Sequence, residues 1–260
     1  MIQPTDYQMK LDGKSNNHLI TFSDGHDYAV KFFQPQCNKS LVNEWVGYCL
    51  GRYLGLPVPF GRIVEIPPDF SPQIPELAEI NYTKYQFASR YIPNCLNGHQ
   101  VLDVQQIVNE SSLAGIIVFD YWVGNLDRTR KNILLREEQP NTYYLWIIDQ
   151  AEIFGGFDWR IEDLENLPSN IISSATHRLI AKHVKDEEQF FAQLELIQTL
   201  PILLMEEIVT LIPEEWNVSK EERKAIVTAL IIRRNKVLPK LIEMFIQKVY
   251  RPLHGIEGSS

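Results

Sequence analysis

The sequence predicts an α+β fold in two lobes, with a β-rich front and a helical back. Two short β-prone runs, Leu19 to Phe22 and Tyr28 to Phe33, flank the turn signal Ser23-Asp24-Gly25-His26, so the chain opens with a hairpin. Apolar residues recur at helical spacing everywhere beyond Asp186. The change of pattern falls near Tyr91 to Asn94, which sets the expected lobes at residues 1–89 and 90–260 with a short connector from Arg90.

Each element has its own signal. Val42, Trp45, Val46, Cys49, Leu50, Tyr53 and Leu54 recur at helical spacing and predict an amphipathic helix, which Gly55 and Pro57 stop. Val58 to Ile66 predicts a returning strand. Pro67, Pro68, Pro72 and Pro75 then predict a surface insertion before the β-prone run Tyr85 to Tyr91. Val104 to Val123 reads as a helix, and Ile133 to Leu135 and Tyr143 to Ile148 read as strands. Ser219-Lys220-Glu221-Glu222 is a capping box that opens a long helix, and Pro239 predicts a kink within it.

The composition excludes several classes. The chain has 260 residues, is 45% hydrophobic and 22% charged, and carries a formal net charge of -8, the profile of an ordinary globular protein. Its longest basic run is the pair Arg233-Arg234, so neither a nucleic acid backbone nor an anionic membrane is an expected partner. Cys37, Cys49 and Cys95 form no CxxC pair and read as reduced thiols, and residues 1–14 lack the pattern of a signal peptide. A cytoplasmic location is therefore the expectation.

The chemistry-bearing segment runs Asp127-Arg128-Thr129-Arg130-Lys131-Asn132, then through the apolar strand Leu145 to Ile148 to Asp149. A carboxylate, an amide five residues on, and a second carboxylate at a strand end can bring oxygen ligands together around a hard cation such as Mg²⁺. In that arrangement Asn132 and Asp149 hold the metal, and Asp127 stays free to orient or deprotonate an attacking hydroxyl. Taken singly, each has a plainer role as a turn cap, a backbone partner or a strand end. A second element places Lys31 inside the apolar run Tyr28 to Phe33, where a buried ammonium needs an anionic partner, either phosphate or the Glu44 carboxylate. The plainer alternative is a lysine that snorkels to water. Helical phase sets Glu44 away from the Val42, Trp45, Cys49 and Tyr53 stripe, as a solvated charge would be. A third element, Gly13-Lys14-Ser15-Asn16, lies just before the first strand, where backbone amides and the Ser15 hydroxyl could cradle phosphate or form only a polar turn. The histidines show no metal-ligand spacing, and neither GxSxG nor HExxH occurs.

Lysine strand, glutamate helix, Asp-x4-Asn, strand and Asp, in that order, resemble the architecture shared by protein kinases and phosphatidylinositol kinases. The chain is more closely similar to the HipA-like kinase family, on Gly13 to His18, Tyr28 to Phe33, Asn43-Glu44, Leu54 to Pro59 and Asn125 to Asn132. The resemblance implies a two-lobed protein-kinase-like fold and an ATP- and Mg²⁺-dependent serine/threonine protein kinase that acts on a protein substrate. It matches Asp127 to the catalytic aspartate, Lys31 to the nucleotide lysine, and Asn132 and Asp149 to the metal ligands. Arg128 or Arg130 would stabilise developing charge, and the backbone of Gln86, Phe87 and Ala88, toward Arg90, would receive the adenine edge. Two positions depart from the family pattern: Thr129 stands where a histidine is usual, and Gln150-Ala151 follows the metal aspartate in place of Phe-Gly. A pseudokinase scaffold and a small-molecule or lipid kinase are the alternatives.

Overall fold

The computed structural model describes residues 1–11, 17–75, 77, 83–101, 104–171 and 174–256. Gly13, Lys14, Ser15 and Asn16 lie outside them, and so does the phosphate-cradle expectation they carry.

Five antiparallel strands form the first sheet: β1 (Pro4–Lys10), β2 (Asn17–Phe22), β3 (Asp27–Lys31), β4 (Gly61–Glu65) and β5 (Tyr85–Arg90), in the order β1-β2-β3-β5-β4. The hairpin expected around Ser23 to His26 is the β2–β3 pair, with Gly25 at φ 75 in the turn. Sequence reading missed β1, because this edge strand is mostly exposed and carries no apolar alternation. β5 lies between β3 and β4, with Lys31 paired to Phe87 and Ile63 paired to Phe87 from the other side.

Each face of this sheet has its own cover. On one face Ile20, Tyr28, Val30, Val64 and Ala88 pack with Phe70, Ile74 and Leu77 in a separate apolar cluster. The proline-rich stretch is therefore a lid on the sheet, anchored by three buried apolar side chains, and not the plain surface insertion its prolines suggest. The other face meets α1 (Ser40–Tyr53), which Gly55 closes with φ 70 and a backbone bond to Arg52.

A second sheet, β6-β8-β9-β7, joins β6 (Cys95–Asn97), β7 (Gln106–Ile107), β8 (Ile133–Gln139) and β9 (Thr142–Ile147). Here the expected helix from Val104 shortens to α2 (Leu113–Val123). The preceding residues pair in parallel with β9, and the Asn109 side chain bonds the backbone N–H and C=O of Leu145, competing with a helical path. Every residue of α2 is buried, and Gly124 ends it at φ 66. α3 (Ile161–Glu165), α4 (Ala175–Lys182), α5 (Glu188–Thr199), α6 (Ile202–Thr210), α7 (Lys220–Ile232), α8 (Leu238–Phe245) and the short α9 (Arg251–Leu253) follow, of which α4, α5 and α8 pack against it.

The capping box at Ser219 and Glu222 forms as expected. The long helix is interrupted by a π-helical turn at Arg233–Val237, just before Pro239, because the missing N–H of proline must be accommodated upstream. In that turn Arg233 donates to the carbonyls of Tyr121 and Trp122 and so caps the end of α2; burial lowers its pKa to about 10. Among the described residues no helix is long and apolar enough to cross a membrane.

Candidate active site

α1 brings Glu44 to Lys31. The helix packs on two faces, with Val42, Val46 and Leu50 buried on one side and Asn43, Glu44, Gly47 and Gly51 buried on the adjoining side. A two-faced helix removes the phase conflict of the sequence reading, and Glu44 is 3% exposed. Lys31 Nζ donates to Glu44 Oε1 and, at 2.8 Å, to Asp149 Oδ1. The same Glu44 oxygen accepts the backbone N–H of Gln150 at 2.9 Å. Lysine, glutamate and aspartate from three distant segments thus form one cluster.

Electrostatics separates the three members. Burial pushes the Glu44 carboxyl up to about 7 against the pull of the Lys31 charge. Burial acts the same way on Asp149, but Lys31 overcomes it and holds that carboxyl at about 2. Burial alone would lower Lys31, yet the two carboxylates raise it above its ordinary value. Asp149 occupies the left-handed region, φ 60, a conformation that costs a non-glycine residue about 1 kcal/mol or more and that the Lys31 and Gln150 bonds hold in place.

Asp127 and Asn132 meet on the neighbouring segment. Asn132 Nδ2 donates to the Asp127 carbonyl at 2.7 Å and to Asp127 Oδ2 at 2.9 Å. With its nitrogen committed there, the Asn132 amide presents its oxygen as the atom for a cation. The Ile148 N–H bonds the Asn132 carbonyl at 3.1 Å, which joins this loop to the residue before Asp149. Among the described residues no three His, Cys, Asp or Glu side chains cluster as a self-sufficient metal site. An amide oxygen and one carboxylate fit Mg²⁺, which keeps waters and shares its ligands with substrate phosphates.

Two expected roles are corrected. Arg128 is a strut and faces no developing charge: its side chain is fully buried, and all its donors are used inside the protein. It bonds Asp120 through Nε at 2.9 Å and Nη2 at 3.0 Å, the carbonyls of Asn132 and Ile148 through Nη1, and Gln150 Oε1 through Nη2. Gln86, Phe87 and Ala88 cannot offer their edges to a base, because β5 is flanked by strands on both sides and the Gln86 amide is spent on Phe33 and Thr83. The chain emerges from the sheet only after Arg90.

Sequence reading missed the residues that hold this arrangement. Asp120 accepts from Arg128, from Asn125 at 3.0 Å and from His177 at 3.0 Å, in full burial. Burial would raise its carboxyl, but the Arg128 charge holds it below its ordinary value. Its signal was a lone carboxylate in an otherwise apolar helix. Asn43 donates to the carbonyls of Ala151, Ile153 and Gly156 and accepts from Trp159, fixing the segment after Asp149. Gly47 lets α1 approach that segment, since a Cβ there would lie 2.7 Å from Gln150 Cβ. Thr129 is exposed at the head of the short turn Arg130–Asn132.

A family model for HipA-like kinases matches residues 7–244. The chain belongs to the HipA-like kinase family. Phosphotransferases are its class, and kinase activity goes with the membership. No curated protein matches it. Among solved structures this HipA-like kinase is similar to the Helicobacter pylori proinflammatory kinase CtkA, at 13% identity and TM-score 0.62 over 99% of this chain and 98% of that one. It is also similar to the Golgi casein kinase with Mn/ADP bound, at 13% identity and TM-score 0.56 over 95% and 74% of the two chains. A hydra Fam20 with sugar matches at 12% identity and TM-score 0.53 over 97% and 88%. At such identities these likenesses establish the two-part kinase fold, a β-sheet front with a helical back.

Proposed function

We propose that this HipA-like kinase transfers the γ-phosphoryl group of ATP, with Mg²⁺, to a serine or threonine hydroxyl of a protein. One observation carries the reading: Lys31 bonds both Glu44 and Asp149, while Asn132 bonds Asp127 one segment away. A structural protein gains nothing from a lysine strand and a glutamate helix joined at the Asp149 loop, which is itself tied to the Asp127–Asn132 loop.

In this reading the protein divides at residues 89 and 90, and the nucleotide lies between the halves. Lys31, preset by Glu44, meets phosphate oxygens as a point charge. Asn132 and Asp149 would hold Mg²⁺, which neutralises charge on the transferring phosphate. Asp127, partly exposed and oriented by its bonds with Asn132, accepts the hydrogen bond of the acceptor hydroxyl and takes its proton as the new O–P bond forms and the bond from the γ-phosphorus to the departing ADP breaks. The adenine edge meets the connector that follows Arg90, and residues 13–16 are candidates for the phosphate cradle. Arg130, partly exposed on the loop, is the remaining arginine for developing charge.

The second reading, a nucleotide-binding pseudokinase, is favoured by exposed Thr129 at the position usual for histidine. ATP labelled at the γ-phosphate separates the two. Transfer to a lysate protein that Asp127→Ala abolishes while ATP binding survives supports the kinase; ATP binding without transfer by the wild type supports the pseudokinase. Label that reaches only a small molecule would move the acceptor to that class.

A further inference from the structure

The Glu44 helix has a second side, and the chain itself covers it. Trp45 Nε1 donates to the Ile208 carbonyl at 2.9 Å, which ties α1 to α6. At the start of the helix Lys39 Nζ bonds Glu222 at 2.7 Å and the Asn217 carbonyl at 3.4 Å, and it sits 5.0 Å over the Trp159 ring. The Lys39 backbone N–H meets the Phe157 carbonyl at 2.9 Å. Farther along the same connection Trp216, fully buried, donates to the Tyr85 carbonyl at 2.9 Å, and Glu215 accepts the Tyr85 N–H at 3.4 Å. Residues 208–222 therefore run behind α1 and hook the first residue of β5. Trp45 faces this strap, while Glu44 and Gly47 face the Asp149–Gln150 segment.

A helix that carries a lysine-pairing glutamate is useful to catalysis only in the inward position. If it moves outward here, it must break the Trp45 bond and the Lys39 cluster together, against a connection that Trp216 anchors to β5. We propose that residues 208–222 are an intrinsic latch that keeps α1 inward, so that the Lys31–Glu44 pair forms without an activating partner or modification. Lys39, Trp45 and Trp216 are positioning residues that act through Glu44. This rests on the phosphotransfer reading, and its test is built to fail separately.

The full chain with Cys37→Ser and Cys95→Ser leaves Cys49 as the only thiol. Cys49 lies one turn beyond Trp45, partly buried against the core, with burial pushing its thiol up to about 12. Its labelling by a maleimide reports outward movement of α1 whether or not the protein is active. Lys39→Met and Trp216→Ala should each raise the labelling rate on the order of tenfold and lower kcat comparably, with a smaller change in KM for ATP. Lys39→Arg should restore both, because an arginine keeps the bond to Glu222. Lys39→Met serves if Trp216→Ala fails to fold. Folded variants with unchanged Cys49 labelling and unchanged kcat would overturn the latch. Faster labelling in a protein that transfers no phosphate even as wild type would uphold the latch and overturn the kinase reading.

Discussion

Two buried charge clusters stand on either side of the Asp149 segment, and they differ in what they leave open. Around Asp120, every hydrogen-bonding position of the Arg128 guanidinium and both carboxylate oxygens are occupied by protein groups, with no exposure of either side chain. Around Lys31, the side chain keeps 12% of its surface exposed and Asp149 keeps 25%. The first cluster is closed and can only hold shape. The second is closed at the back by Glu44 and open at the front, so it can exchange a protein partner for a ligand. Burial of charge alone does not distinguish structure from chemistry; unspent valence does.

The contrast can be broken from either side. The largest effect is expected at the open cluster: Lys31→Met should lower phosphoryl transfer by about a hundred- to a thousandfold, measured as initial rate. The fold should survive, because Glu44, with a carboxyl near 7, can take a proton. At the closed cluster the outcome should reverse. Asp120→Ala strands Arg128 in full burial and should cost about 3–5 kcal/mol by urea unfolding, with transfer lost only as structure is lost.

A pH series sharpens the distinction. Glu44 is raised from 4.5 to about 7, so its stabilising contribution is complete below 4.5 and is lost as pH rises through about 7. Asp149 is lowered from 3.8 to about 2, so its contribution is present above 3.8 and is lost as pH falls through about 2. Catalysis runs the other way from the Glu44 term: kcat/KM should rise across pH 6 to 8 as Glu44 ionises and grips Lys31, and Glu44→Gln should flatten that rise. The smallest effect is expected at an exposed pair. Lys185 bonds Glu110 at 2.5 Å with 70% of its side chain exposed, and Lys185→Ala should change stability by less than about 1 kcal/mol.

Much of this was legible in the sequence because the signals were local. The turn at Ser23 to His26 and the capping box at Ser219 depend on neighbours in the chain, and each formed as read, while the Asp127 to Asn132 spacing brings those two side chains into a hydrogen bond. What could not be read was set by distant partners. Glu44 looked out of phase only because one apolar stripe was assumed, whereas α1 is covered by the cleft segment on one side and by residues 208–222 on the other. Arg128 looked catalytic beside Asp127 because nothing local shows that Asp120, eight residues earlier, takes its guanidinium. Gln86 to Ala88 looked like an edge until β3 and β4 were seen on both sides.

The central claim is that Asp127 serves the acceptor hydroxyl at a nucleotide site built on Lys31, Asn132 and Asp149. Its most direct test is transfer of labelled γ-phosphate with Mg²⁺ to lysate proteins by the wild type and by Asp127→Ala, with ATP binding measured on both. Label on a protein with the wild type alone, at equal ATP affinity for the two, is the predicted result. Equal labelling by both proteins, or no ATP binding by either, would contradict the account.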